Sequence, residues 1–298
     1  MSSTEAASPR YQDIETWPDA AVLEALWEAQ MAAVAAVRPA LPVLEAAVTA
    51  ATARLRAGGR LAYAGAGTSG RIAVQDGAEL TPTFNWPRDR LLLLMAGGDE
   101  ALVRAVEGAE DQTEVAVAFG PLDVLVAVAA SGTTPYTMAC LRAAKAAGAL
   151  SIGVASSPGT PLLAEADHAV LLDTGAEAVA GSTRLKAGTA QKAALNLFST
   201  LLMTRLGRVY RGQMVDMLAR NTKLRRRAVR MLVELTGTRP EQAAAALETT
   251  GHVKTAVLVL QGVPVGDAEA VLARSAGDLR VAVESAGTKG GSLALDGT

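Results

Sequence analysis

The sequence predicts an α/β fold: a parallel five-stranded sheet flanked by helices, with a small C-terminal helical domain. Three observations carry this. Short apolar runs alternate with helical segments between residues 58 and 235, the pattern of strands buried on both faces by crossover helices. Turns rich in glycine and hydroxyl residues follow these runs. From Thr236 the texture changes to short amphipathic helices. The predicted divisions are therefore 1–57 (arm and helices), 58–235 (sheet domain) and 236–298 (a three-helix unit with a tail).

Residues 1–17 read as a polar arm. Pro18 and Asp19 open a helical stretch from Ala20 to about Ala57, broken near Pro39 and Pro42, and Gly58-Gly59 ends it. Leu61–Ala64 is the first strand. It runs into Gly65, Gly67, Thr68, Ser69 and Gly70, after which Arg71–Ala78 continues as a helix. Pro82 and Pro87 bracket an irregular segment. Leu91–Ala96 is the second strand, followed by Gly97-Gly98 and a helix over residues 99–111. The third strand, Val124–Ala129, runs into Ser131-Gly132-Thr133-Thr134, and Pro135 opens the next helix. Ser151–Ala155 and Ala169–Leu172 complete the sheet. Lys186 to Leu206 is a long helix, with helical turns following through Leu232. Three short helices then fall within 240–250, 251–262 and 266–284, before a flexible tail over 287–298.

Half the residues are hydrophobic but only 3% are aromatic, so the core is expected to be built from Ala, Val and Leu. A formal net charge of −2 gives no reason to expect a nucleic-acid partner. The single Cys140 excludes an internal disulfide and fits a reducing compartment. The N-terminal stretch is polar and has no signal-peptide pattern, and no apolar run reaches membrane-span length. The expectation is a cytoplasmic protein without a membrane partner.

A strand, a glycine–hydroxyl turn and a helix start gather backbone N–H groups, two hydroxyls and the positive end of a helix dipole at Thr68, Ser69 and Gly70. That combination suits a phosphate. Alone it is weak, because such turns also arise for close packing, and it matches neither the dinucleotide fingerprint nor the Walker loop. The turn at Ser131, Gly132, Thr133 and Thr134 offers the same chemistry. In a parallel sheet both turns should meet beyond the carboxyl ends of the strands.

His168 and His252 are too isolated for a metal site, and no Cys, His or acidic set has ligand spacing. Lys186 and Lys192 either neutralise an anion or decorate a helix. Ser182 and Thr183 equally suit helix caps. The basic run Lys223–Arg230 reads as a solvated helix face. Cys140 reads as core, and Trp27 and Trp86 read as packing residues sooner than sugar platforms, Trp86 being the one to test.

The segments GAGTSGR (65–71), AVEGAED (105–111), AASGTTPY (129–136), GSTRLKAGTAQK (181–192) and MVDMLARNTKL (214–224) occur in the order and spacing of the N-acetylmuramic acid 6-phosphate etherases. The chain resembles this family of sugar-isomerase-type (SIS) domain proteins strongly over roughly Arg60–Arg230. The resemblance implies an SIS fold for 58–235, a phosphorylated amino sugar as substrate, no metal or redox cofactor, and a homodimer with its active site near the subunit interface. It implies that Glu79 is the proton-donor glutamate and Glu110 a second active-site glutamate. Thr68, Ser69, Gly70, Ser131–Thr134, Ser182 and Lys186 are the expected substrate-binding residues. The chain departs from the family at Leu80-Thr81, where Cys-Pro is usual, and at Thr133, where Arg is usual.

Two carboxyl groups suit this chemistry. In the open-chain aldehyde the C2 proton is acidic, one carboxylate removes it, and a carboxylic acid protonates the oxygen leaving C3. Two other readings fit the same pocket. A non-catalytic phosphosugar sensor has no need of the glutamate pair, and an aldose–ketose isomerase would not release lactate.

Overall fold

A computed structural model describes residues 3–219 and 221–290. The chain forms two compact units, one of Met1–Ala78 and Pro87–Leu202, the other of Glu79–Trp86 and Met203–Thr298.

In the first unit, α1 (Asp19–Ala35) and α2 (Leu41–Arg56) precede β1 (Leu61–Gly65), α3 (Gly67–Phe84) and β2 (Leu91–Met95). There follow β3 (Val124–Val128), α4 (Pro135–Ala146), β4 (Leu150–Ala155), α5 (Pro161–Glu165), β5 (His168–Leu171) and α6 (Lys186–Arg205). The strands form one parallel sheet in the order β2-β1-β3-β4-β5. β1, β3 and β4 are buried throughout, which is why they read as unbroken apolar runs. Helices pack through alanines, such as Ala47 and Ala51 on α2 and Ala187, Ala190 and Ala194 on α6. Cys140 lies in this core as expected, and burial pushes its thiol up to about 11 against a bond from Tyr136.

Specific polar contacts set the register. Asp123 accepts from the backbone and guanidinium of Arg60 and from Gly120 N–H, joining the starts of β1 and β3. Burial pushes the Asp123 carboxyl up, but the bonds from Arg60 and the backbone outweigh it, and the net shift is downward. Arg54 at the end of α2 donates to Pro121 O and Gly148 O at the same sheet edge. Asp76 on α3 is buried and accepts from Tyr63 on β1 and from Asn196 and Ser199 on α6. Burial raises its pKa despite those three donors and the nearby Lys192.

The second unit contains a short hairpin of β6 (Val209–Tyr210) and β7 (Gln213–Met214), then α7 (Thr222–Thr236), α8 (Pro240–Thr250), α9 (Val253–Leu260), α10 (Val265–Arg274) and α11 (Leu279–Gly290). Its core gathers Tyr210, Met231, Leu232, Leu247 and Val257. Buried Lys254 donates to Asp216 and to Gly277 O.

The structure departs from the sequence reading in six places. The glycine turn at 67–70 is the first turn of α3 itself, and α3 continues through Pro82 to Phe84. Residues 99–111 are not one helix but two 3-10 turns, because Gly97, Gly98 and Gly108 all take positive φ. Residues 209–214 form a hairpin where helical turns were expected. The C-terminal region has four helices after α7, since Ala276 and Gly277 take positive φ and split 266–284. Residues 287–290 of the expected flexible tail lie in α11, and 291–298 are outside the described residues. The compact units also divide at 202/203 rather than at Thr236, because the buried face of α7 belongs to the same core as α8 and α9.

Two outcomes follow. Asp123→Asn should cost about 2 kcal/mol at neutral pH, as expected for a lost charge-assisted bond. Because the folded-state pKa of Asp123 is depressed, its contribution is present above roughly pH 4 and lost as pH falls through the folded value. Urea midpoints should therefore drop more steeply on acidification in the parent than in the variant. Gly70→Ala should cost about 2 kcal/mol or more in thermal unfolding, because the new methyl would stand 2.6 Å from Gly65 O and 2.5 Å from Met95 Sδ.

Candidate active site

The strand order reverses between β1 and β3, since the chain moves outward from β1 to β2 and then returns to the other side of β1. Such a switch point leaves a crevice beyond the carboxyl ends of the two strands. Gly65 and Val128 are register partners at those ends, so both glycine–hydroxyl turns converge there.

The first turn begins at Gly67 with φ 54°, and Gly70 N–H donates to Ala66 O. The opening N–H groups of α3 have no acceptor within the helix. Thr68 is half-buried and Ser69 is buried. Thr68 packs toward Gly188 of α6, where a Cβ would stand 3.5 Å from its methyl.

In the second turn Gly132 takes φ 66° and lies over Thr160, where a Cβ would come within 2.2 Å of Thr160 Oγ1. Only glycine fits. Ser131 Oγ lies 3.5 Å from Thr134 Oγ1, and accepts from Thr133 N–H and Thr133 Oγ1 at 3.3 and 3.2 Å. The turn is a compact set of hydroxyls at the start of α4, with Thr133 exposed.

Beside the first turn is a cavity of about 360 Å³ lined by Gly67, Arg71, Met95, Glu107, Gly108 and Glu110, among others. Both glutamates are exposed. Gly108 takes the left-handed conformation (φ 69°) and starts the turn that carries Glu110. Arg71 Nε and Nη2 donate to Ala101 O and Arg104 O, both at 2.9 Å, and hold the adjoining loop. Sequence reasoning missed this role, although Arg71 closes the first motif. The cavity lining comes wholly from the first compact unit. Glu79 is exposed on α3, within the segment that belongs to the second unit.

The loop before α6 is built differently from the expectation. Glu177 is fully buried, and its two carboxylate oxygens accept from Lys186 N–H and Ala187 N–H at 2.9 Å each. The N-terminus of α6 is therefore closed by the protein's own carboxylate. Lys186 is buried and donates from Nζ to Thr174 O at 2.7 Å. Burial lowers its pKa, against the opposing pull of Glu177. Lys186 thus holds this loop rather than presenting its ammonium to solvent. Ser182 lies in the turn before α6, and its N–H donates to Val179 O. Nothing in sequence spacing marks Glu177 as the cap, nine residues ahead of the helix it closes.

Trp86 is buried, with the Arg208 guanidinium 5.2 Å from its ring, so it is not a sugar platform. Among the described residues no three His, Cys, Asp or Glu side chains are grouped to hold a metal.

Residues 43–145 match the N-terminal SIS domain of glucokinase regulatory protein, and residues 100–201 match the SIS domain. An N-acetylmuramic acid 6-phosphate etherase of Deinococcus radiodurans is 53% identical over 87% of each chain. The enzyme of the same name from Salmonella typhimurium is 43% identical over 94% of this chain and 97% of its own. A phosphoheptose isomerase of Francisella tularensis, of known structure, overlays 62% of this chain and 94% of its own at 19% identity and a TM-score of 0.37. With two such relatives matched almost end to end, the chain belongs to the N-acetylmuramic acid 6-phosphate etherase family.

Proposed function

We propose that the chain cleaves the D-lactyl ether of N-acetylmuramic acid 6-phosphate, giving N-acetylglucosamine 6-phosphate and D-lactate during cell-wall sugar recycling. The observation that carries this reading, within the family, is the pair of glycine–hydroxyl turns at the switch point, the first of them beside a cavity lined by Glu107 and Glu110. Thr68, Ser69 and Gly70 offer the phosphate a helix N-terminus, and Ser131, Gly132, Thr133 and Thr134 offer hydroxyl and backbone donors. We keep Ser182, in the turn before α6, and Lys186 among the substrate-binding residues on the strength of the family motif alone.

The ether is unactivated in the ring form. In the aldehyde form a base removes the C2 proton, the electron pair forms the C2–C3 double bond, and the C3–O bond breaks. An acid protonates the departing oxygen to give lactate. Water then adds its hydroxyl to C3 and a proton to C2, so the sum is hydrolysis of the ether. We assign the base to Glu110 and the acid to Glu79. The site needs no metal or redox cofactor for these steps. We further propose a homodimer with the active site near the subunit interface, acting in the cytoplasm without nucleic-acid or membrane partners. The single, buried cysteine supports a reducing setting.

A direct assay of D-lactate release from the phosphorylated substrate tests the reading against both alternatives, since neither a sensor nor an isomerase liberates lactate. Glu79→Gln and Glu110→Gln should each reduce release by at least about 100-fold, the usual share of a positioned acid or base, with sugar-phosphate binding retained. Full release by both variants would remove them from the mechanism. Ser131→Ala with Thr134→Val should instead raise KM about 10-fold, as for loss of one or two hydrogen bonds to a charged group, and leave kcat largely unchanged.

A further inference from the structure

The polar segment before α1 is docked against the rest of its unit. It forms three 3-10 turns, Ser3–Glu5, Pro9–Tyr11 and Ile14–Thr16. Thr4 is fully buried, and its carbonyl accepts from Gly181 N–H at 3.1 Å. Tyr11 is buried with Ala25 and Ala29 of α1 and with Ala178. Ala178 and Gly181 both belong to the loop between β5 and α6, which also carries Ser182. The arm therefore grips that loop twice, once through backbone and once through an aromatic ring.

This docking lays the Glu5 carboxylate on the loop backbone. A Cβ at Gly181 would stand 3.0 Å from Glu5 Oε2 and 3.7 Å from its Cδ, so glycine leaves the room that the carboxylate takes. Gly181 also holds φ 74°, which a side chain disfavours. From there the loop leads to the first glycine–hydroxyl turn. Thr183 N–H donates to Gly181 O, and Gly188 N–H donates to Thr183 O, both at 2.9 Å. A Cβ at Gly188 would stand 3.3 Å from Thr183 O and 3.5 Å from the Thr68 methyl. Two hydrogen-bonded turns thus connect the seat of Glu5 to the turn assigned to the phosphate.

The charge seated there is unused. Glu5 is exposed, and among the described residues it has no hydrogen bond or ion pair, not even with exposed Arg184 of the same loop. The loop's other charges serve the fold, Glu177 capping α6 and Lys186 holding Thr174 O. A carboxylate near a phosphate repels that group and accepts from neutral donors instead. A phosphorylated amino sugar brings such donors in its hydroxyls and its acetamido N–H. We infer that Glu5 is a further specificity residue, whose carboxylate accepts from an O–H or N–H of the sugar whose phosphate sits at Thr68, Ser69 and Gly70. This rests on the sugar-phosphate reading above and adds the contact that the arm makes to the neutral part of the sugar. Tyr11 is then a positioning residue, acting through the arm.

Titration calorimetry of the full chain with N-acetylglucosamine 6-phosphate, and separately with inorganic phosphate, tests this without turnover. Glu5→Ala should weaken the sugar phosphate about 10-fold or more, as for a lost bond to a charged group, and leave inorganic phosphate within about twofold. Glu5→Gln keeps an acceptor oxygen without the charge and should recover part of the loss. Glu5→Ala should also leave the melting curve and the protease resistance of the arm unchanged. Tyr11→Ala frees the arm, and should give the same loss of sugar phosphate together with cleavage before α1. Equal affinity in the parent and Glu5→Ala, or a parallel loss for inorganic phosphate, overturns the sugar contact. Weakening by Glu5→Ala with none by Tyr11→Ala overturns the role of the arm. A parent that binds no sugar phosphate overturns the contact and the site reading together. Lactate release reports on the etherase reading separately: a parent that binds the sugar phosphate but releases no lactate ends that reading and leaves the contact standing. In an active parent, Glu5→Ala should raise KM with kcat within about threefold.

Discussion

The structure depends on a close approach between backbones at the carboxyl end of β1. Gly65 ends that strand, and a Cβ there would stand within 2.9 Å of Gly70 Cα and of Val128 O. Gly70 returns the contact one helical turn later. With no side chain at either position, α3 starts directly against the strand ends rather than a layer above them. That brings its free N–H groups into the crevice that the strand order creates between β1 and β3. Larger residues at 65 or 70 would push the helix outward and leave the hydroxyl turn at Ser131 facing nothing.

Deeper in the same unit, the rotation of α3 is fixed by polar atoms rather than by shape. Many inward positions of α1, α2 and α6 are alanine, set among larger side chains such as Leu44, Leu55 and Phe198, and the small residues interdigitate little. Asp76 supplies the missing specificity by joining β1, α3 and α6 through Tyr63, Asn196 and Ser199. Removing the carboxylate would leave three donors buried, so the network resists replacement of one member at a time. Gly77 beside it leaves room for Leu93 and the Tyr63 ring, which a Cβ would approach to 2.6 and 3.0 Å.

Much of this was legible beforehand, and what was missed shares a cause. β1, β3 and β4 are buried throughout and β2 runs into Gly97-Gly98, so each appears as a short apolar run with a clear end. The segment 99–111 misled because Ala, Val, Leu, Glu and Arg favour a helix, while Gly97, Gly98 and Gly108 are held at positive φ by tertiary context. For Lys186 the sequence left an anion ligand and a helix surface residue both open, because it cannot show where an ammonium points, and the structure turns it to Thr174 O. Glu177 was invisible for the same reason. A carboxylate nine residues before the helix it caps has no local signature, unlike Asn221, which caps α7 from the adjoining position through Leu224 N–H.

The distribution of charge around the crevice carries the last step. Among the helices that follow the strands, the N-terminus of α6 is neutralised by Glu177, whereas the opening N–H groups of α3 have no acceptor within their own helix. The two turns beside it contain glycine, serine and threonine, and Arg71 is committed to carbonyl oxygens. Oriented N–H and O–H dipoles of this kind favour an anion by direction as well as by charge. Glu107 and Glu110 lie on the neighbouring cavity wall and oppose a second anion on that side. A sugar phosphate would accordingly enter in one orientation, its charged end at the turns and its carbon skeleton toward the carboxylates.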